Sequence, residues 1–223
     1  MRAVATESST SPASSPRGEP HWPPQLTVAL AIALQFLLPD RLEPGPRWLL
    51  PALEAVMLAA LVFASPQQLV GPHSLRRRFA LGTSAIVTIA NGISLGLLCN
   101  LLLHRNVVNG KPLVVAGALI WLTNVLVFSL WYWEMDRGGP GRRAAGDDAL
   151  PDFQFPQMLD DRFSPGWRPL FLDYLYVSLT NAAAFSPTDT MPLTRIAKSL
   201  MGLQSLISLL TIGLVVSRAV NIL

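Results

Sequence analysis

The sequence is short of charge. Asp, Glu, Lys and Arg make up 14% of its 223 residues, against about 25% in an ordinary soluble domain, while 51% are hydrophobic and stand in long blocks. A single water-soluble core is therefore the poorer reading. Lysine is nearly missing: Lys111 and Lys198 are the only two, so the net charge of +3 is carried by arginine. These arginines sit between apolar blocks, a pattern of membrane topology and not of a nucleic-acid surface, and no nucleic-acid partner is expected. Cysteine occurs once, as Cys99 inside the apolar run from Gly96 to Leu103, which excludes an intrachain disulfide and a cysteine-based metal centre. His21, His73 and His104 have no His-x-x-x-His spacing, and neither Gly-x-x-x-x-Gly-Lys nor Gly-x-Ser-x-Gly occurs. Without a nucleophile beside a base, a metal-ligand set or a phosphate loop, the chain is expected not to be an enzyme and to carry no cofactor and no metal.

What is abundant is apolar sequence of bilayer length. Residues 1–24 are rich in Ser, Pro, Thr and Ala without apolar period and are expected to form a disordered tail, because they cannot bury enough surface to offset the entropy of ordering. The next region, 25–133, reads as four transmembrane helices: Gln25 to Leu38, Trp48 to Ala64, Phe79 to Leu103, and Pro112 to Trp133, the last closing in Trp131-Tyr132-Trp133. About 20 apolar residues cross a bilayer, and an aromatic belt marks its surface. The first run is short, but it ends in Leu38-Pro39-Asp40-Arg41 without a small-residue cleavage site, so it is expected to remain as an anchor. Residues 134–169 change composition, with Gly138-Gly139-Pro140-Gly141, Arg142-Arg143, Asp147-Asp148 and Asp160-Asp161-Arg162, and read as a polar, water-exposed cytoplasmic loop. The carboxylates of Glu134 and Asp136 are expected to be a solvated helix end. Residues 170–223 hold a short apolar run, Leu170 to Ala184, a polar turn, and a strong final span over Met201 to Val216. The fold class is all-α, a polytopic transmembrane bundle of five or six spans.

Whether Leu170 to Ala184 crosses the bilayer or dips in and returns stays open in the sequence. With six crossings and the N-terminus inside, eleven basic residues lie inside and six outside; with five crossings and a re-entrant segment the split is twelve to five. Both arrangements obey the positive-inside rule with an inside N-terminus, in a multi-pass protein of the plasma membrane whose first partner is the lipid bilayer. No internal repeat is present, which leaves an inverted-repeat transporter with little support.

The distinctive stretch runs from Tyr174 through Thr180-Asn181-Ala182-Ala183-Ala184-Phe185-Ser186-Pro187-Thr188-Asp189-Thr190-Met191-Pro192 to Arg195. A short apolar helix, a turn of hydroxyls with one carboxylate, a Pro three residues later and a spanning helix resemble the pore-loop module of the potassium-channel superfamily. Over roughly Pro112 to Leu223 the resemblance is one of layout, and over about twenty residues one of detail. Setting Asp189 and Pro192 against the filter Asp and the following Pro puts the filter on Ala184-Phe185-Ser186-Pro187-Thr188. Ser186 and Thr188 then stand where that family uses glycines to aim successive carbonyls at the ion, with a proline between them, so potassium selectivity is not implied. The layout is also similar to families of bacterial polytopic membrane proteins without an assigned function. The preference for Arg over Lys, with abundant Ala, Gly and Pro, fits a GC-rich bacterial source such as an actinobacterium.

These readings give the candidate residues. Ser186, Thr188, Asp189, Thr180 and Asn181 are the candidate pore or ion path; the same residue types are helix-start signals, so a cap on the final helix is the competing reading. Glu54, about 9 Å into its span by helical rise, is a candidate buried acid, since intramembrane carboxylates are expensive to bury. Asn91, Asn124 and Gln204 read as interhelical hydrogen bonds. The leading expectation is permeation of an inorganic ion or small solute by a homo-oligomer. The alternatives are a non-conducting membrane subunit or scaffold, and a small carrier that depends on Glu54 protonation.

Overall fold

The computed structural model describes residues 19–20, 22–39, 75–104, 111–145, 149–160, 162, 166–186 and 189–220. The expected span Trp48 to Ala64, with Glu54, lies outside them, as do Thr188 and most of the expected tail. Six α-helices are present among the described residues: α1 (Trp22–Phe36), α2 (Leu75–His104), α3 (Lys111–Met135), α4 (Pro140–Ala144), α5 (Phe171–Ala184) and α6 (Arg195–Val220). Two two-residue strands, β1 (Phe153–Gln154) and β2 (Met191–Pro192), pair antiparallel with Phe153 opposite Pro192 and Gln154 opposite Met191.

Three of these helices, α2, α3 and α6, are long and apolar enough to cross a membrane. They divide by what surrounds them. Of the apolar stretch of α3, 61% is buried within the chain, against 33% in α2 and 22% in α6. A helix that is apolar on every side has no solvent face to offer and takes the centre of a bundle, and α3 accordingly packs against α1, α2, α5 and α6. The approach of α6 is close: a Cβ on Gly117 would collide with the Val215 side chain. On α6 the buried positions Ala197, Met201, Gln204, Ser208 and Thr211 fall at helical spacing on one face, while Leu203, Leu206, Leu209 and Leu210 point away from the chain. Polar inside and leucine outside is the sorting a hydrocarbon solvent imposes.

The path of α5 follows from its hydrogen bonds. Helices α3 and α6 run antiparallel, since Asn124 donates to Ser208 Oγ at 2.9 Å and Gly117 lies by Val215, while Asp152 bonds both Arg137 N at 3.1 Å and the Thr194 hydroxyl at 2.6 Å. Helix α5 descends beside them, with the Tyr174 hydroxyl on Asp136 (2.6 Å) and the Ser178 hydroxyl on the Val125 carbonyl (2.6 Å). Its 14 residues span about 21 Å, less than the ~30 Å hydrocarbon thickness. The chain then returns, because β2 pairs with β1 at the end where α5 began. The chain thus leaves and regains the same end of the bundle within residues 171–192.

Two expectations are corrected here. The loop 134–169 is packed in part: Phe153 and Phe155, two apart on an extended segment and so on one side of it, are buried, as is Asp136, and Glu134 is 1% exposed, while Leu150 and Leu159 stay exposed. Tyr132 stacks at 5.0 Å on Phe153, and Tyr174 stands edge-on to Phe155 at 5.5 Å. The second correction is to the tail. Trp22–Pro24 belong to α1, and Glu19 is fastened to the bundle by Arg143. Helix α6 also begins earlier than the apolar run suggests, at Arg195, because Thr194 accepts the Ala197 N–H at 3.2 Å and caps it.

Candidate functional site: a returning helix and its polar turn

The candidate path residues do not form one group. Helix α5 ends when Phe185 turns left-handed (φ 58°), its N–H donating to the Asn181 carbonyl at 3.0 Å. That reversal leaves Ser186 and Asp189 exposed in the turn before β2, with the Ser186 hydroxyl 3.4 Å from the Ala184 carbonyl. Thr180 is half-buried on the side of α5 away from Asn181's partners, and its hydroxyl bonds back to the carbonyls of Tyr176 (2.9 Å) and Val177 (3.1 Å). Asn181 points the other way and is buried among helices. Ser186 and Asp189 thus share the turn, Thr180 lies on the far side of α5, and Asn181 is part of the interior. The capping reading of the turn is also corrected, since the cap of α6 is Thr194.

Asn181 joins a closed polar seam between α3, α5 and α6. Its amide donates to the Gln204 side-chain oxygen at 2.8 Å and the Met201 carbonyl at 3.0 Å, and its own oxygen accepts from Ser205 at 3.2 Å. Gln204 accepts a second hydrogen bond from the Tyr132 hydroxyl and donates to Ser178 Oγ (2.7 Å) and the Ser178 carbonyl (2.9 Å). Asn124 donates to Ser208 Oγ, while its side-chain oxygen is buried without a hydrogen-bond partner. With both functions of its amide doubly engaged, Gln204 has the satisfaction that a low-dielectric interior demands, and the Asn124 oxygen is the point where the seam falls short of it. Asn91 makes a comparable link, donating to the Ile120 carbonyl at 3.1 Å. The spacing of Gln204, Ser208 and Thr211, each a helical turn apart, was the signal in the sequence that these side chains share one buried face.

A second cluster, which sequence reasoning did not assemble, closes the end where α3 stops and α5 and α6 start. Arg137 (φ 51°) and Gly139 (φ 98°) break α3 there, and a Cβ on Gly139 would meet the Glu134 carbonyl at 3.0 Å. Arg143 takes the helix end: its Nη1 donates to the carbonyls of Trp133 (2.9 Å) and Asp136 (2.7 Å). Its Nε and Nη2 bind both oxygens of Glu19 (2.8 and 3.1 Å), and Trp133 Nε1 donates to Glu19 as well (2.7 Å). Burial works against the charge of Arg143, yet Tyr174, Glu19 and Asp136 hold its pKa above the ordinary arginine value, so it is a permanent cation. Asp136 accepts the backbone N–H groups of Asp152 (2.8 Å) and Phe153 (3.4 Å) and the Tyr174 hydroxyl. A basic group at a helix C-terminus is favourable, and here it also offsets two carboxylates drawn to the same place. No group of His, Cys, Asp and Glu that could hold a metal ion occurs among the described residues.

Comparison of the chain with protein-family models, with curated proteins and with solved structures finds no match.

Proposed function

We propose that this is a multi-pass membrane protein that lets ions or small polar solutes pass where copies meet, along the turn that carries Ser186, Thr188 and Asp189. The observation that supports it is the return of the chain after α5, which leaves the Ser186 hydroxyl and the Asp189 carboxylate exposed between a short helix and the strand β2. Irregular backbone at bilayer depth is tolerated where protein or water surrounds it. A single module supplies only part of a pore, hence the assembly of copies. The test is flux of K⁺, Na⁺, H⁺ and Cl⁻ into liposomes carrying the purified protein. Asp189→Asn and Ser186→Ala are expected to change the flux severalfold while leaving the folded fraction unaltered. Protein shown to be folded that gives no flux above empty liposomes would remove this reading.

The second reading, a non-conducting subunit, is favoured by the seam. Its interior amides and hydroxyls bond one another, so among the described residues the polar groups between α3, α5 and α6 serve packing more than the lining of a passage.

Topology offers a separate check. With a returning α5, a reporter fused after Leu223 is expected on the opposite side of the membrane from one inserted at Gly146, the basic residues placing Gly146 inside. Reporters on the same side would mean that α5 crosses.

A further inference from the structure

One stripe of α6 combines exposed cations with exposed hydrocarbon. Arg195 and Lys198, three residues apart and so on one face, are exposed, and among the described residues neither makes an ion pair. Below them on the same face Gly202 meets open space, and Leu206, Leu209 and Val216 are 54%, 52% and 54% exposed. The carboxylates at this end are mostly turned inward: Glu134 and Asp136 are buried, Asp152 serves Arg137 and Thr194, and Asp173 accepts the Leu170 N–H at 2.7 Å. Among the described residues Asp189, exposed in the turn, and Asp160, which is held by Arg162, are the exceptions. The apolar stretch Arg195–Arg218, 24 residues, is about 36 Å long. If it spans the bilayer, its two ends lie in the two headgroup layers, which sets the cations at phosphate depth and the leucines at acyl depth.

We propose that this stripe holds an anionic phospholipid of the leaflet facing the α3–α4 end, its phosphate between Arg195 and Lys198 and an acyl chain in the groove that Gly202 leaves above Leu206 and Leu209. The charge argues for lipid over a second copy of the chain: two outward cations repel the same two cations of a symmetry mate and attract a headgroup. By the positive-inside count this leaflet is the cytoplasmic one, which carries the anionic lipids. The inference rests on α6 spanning a membrane and is indifferent to whether anything permeates.

The test uses the full chain in mild detergent, with phosphatidylglycerol and phosphatidylcholine added at equal concentration and bound lipids counted by native mass spectrometry. A basic residue near an anionic surface contributes about fivefold in affinity, so a preference for phosphatidylglycerol of about tenfold or more is expected. Arg195→Gln with Lys198→Gln should abolish it. Lys198→Gln alone, the milder change, should lower it by about fivefold. Arg162→Gln should leave it intact, since Asp160 already holds that cation at 2.7 Å in an exposed loop. No preference in the unaltered protein, or one that survives both substitutions, overturns the proposal. A dimer that dissociates on the double substitution, without lipid preference beforehand, overturns it in favour of a second copy. A chain that stays monodisperse once detergent is removed overturns the membrane reading itself.

Discussion

Arg143→Met is expected to cost about 3–5 kcal/mol of unfolding free energy, the range found when one partner of a buried ion pair is removed. The side chains of Arg143 and Glu19 are 5% and 13% exposed, so the pair is shielded from the water that makes surface ion pairs nearly worthless. Three separate groups each lose a hydrogen bond at once: the Glu19 carboxylate, the Trp133 carbonyl and the Asp136 carbonyl. Methionine keeps an unbranched stem of similar reach but no guanidinium, so the loss reports the hydrogen bonds and the contacts of that cation with the Trp133 and Tyr174 rings, at 6.0 and 5.3 Å, more than a cavity. Glu19→Gln should cost less, about 1–2 kcal/mol, because an amide oxygen still accepts from Arg143 and Trp133. Denaturation in micelles followed by tryptophan emission measures both, Trp133 being itself in the cluster. The double substitution should cost less than the sum of the two. A loss below about 1 kcal/mol for Arg143→Met would show instead that water reaches the pair as it does at a surface.

This cluster also marks where the sequence stops being legible. Hydropathy alone finds α2, α3 and α6, because a bilayer-length apolar run carries its own evidence. It cannot place Glu134 and Asp136. A carboxylate next to a span is solvated unless donors from elsewhere reach it, and the donors to Asp136 come from residues 152, 153 and 174. The same holds for Phe153 and Phe155, two aromatics in a stretch with too few apolar neighbours to declare a buried face. The run Leu170 to Ala184 is a further case. Fifteen residues are compatible with a tilted crossing or with a dip, and the return of the chain to its starting end shows only in the pairing of Phe153 with Pro192, a contact 39 positions apart in sequence. The candidate site divided for a local reason: Thr180 and Asn181 are adjacent on a helix, so their side chains point about 100° apart, one away from the seam and one into it. The polar character of the pair was visible in sequence, and their separation required knowing which face α5 buries.

Gln204→Met should be the second most disruptive substitution, at about 2–3 kcal/mol. Interhelical hydrogen bonds in bilayers average about 0.6 kcal/mol and reach about 1.7, less than buried bonds in water-soluble proteins, because helices separated in lipid find other partners. Gln204 makes four through its side chain, to Tyr132, Asn181 and twice to Ser178. Methionine fills nearly the same volume, so packing changes little, while the Tyr132 hydroxyl and the Asn181 amide lose an acceptor at 0% and 1% exposure. Ser205→Ala removes one 3.2 Å bond at the edge of the seam and should cost below about 1 kcal/mol, which gives the series its internal standard. Stability and flux then separate the two functional readings. Asn181 is four residues from Phe185, whose left-handed turn starts the return, so loosening the seam frees the last turn of α5. If the turn lines a path, Gln204→Met should alter flux at temperatures where the protein is still fully folded, and Asp189→Asn in the same background should add little. If the seam only holds helices together, Gln204→Met should lower the unfolding midpoint and leave every other readout as it was.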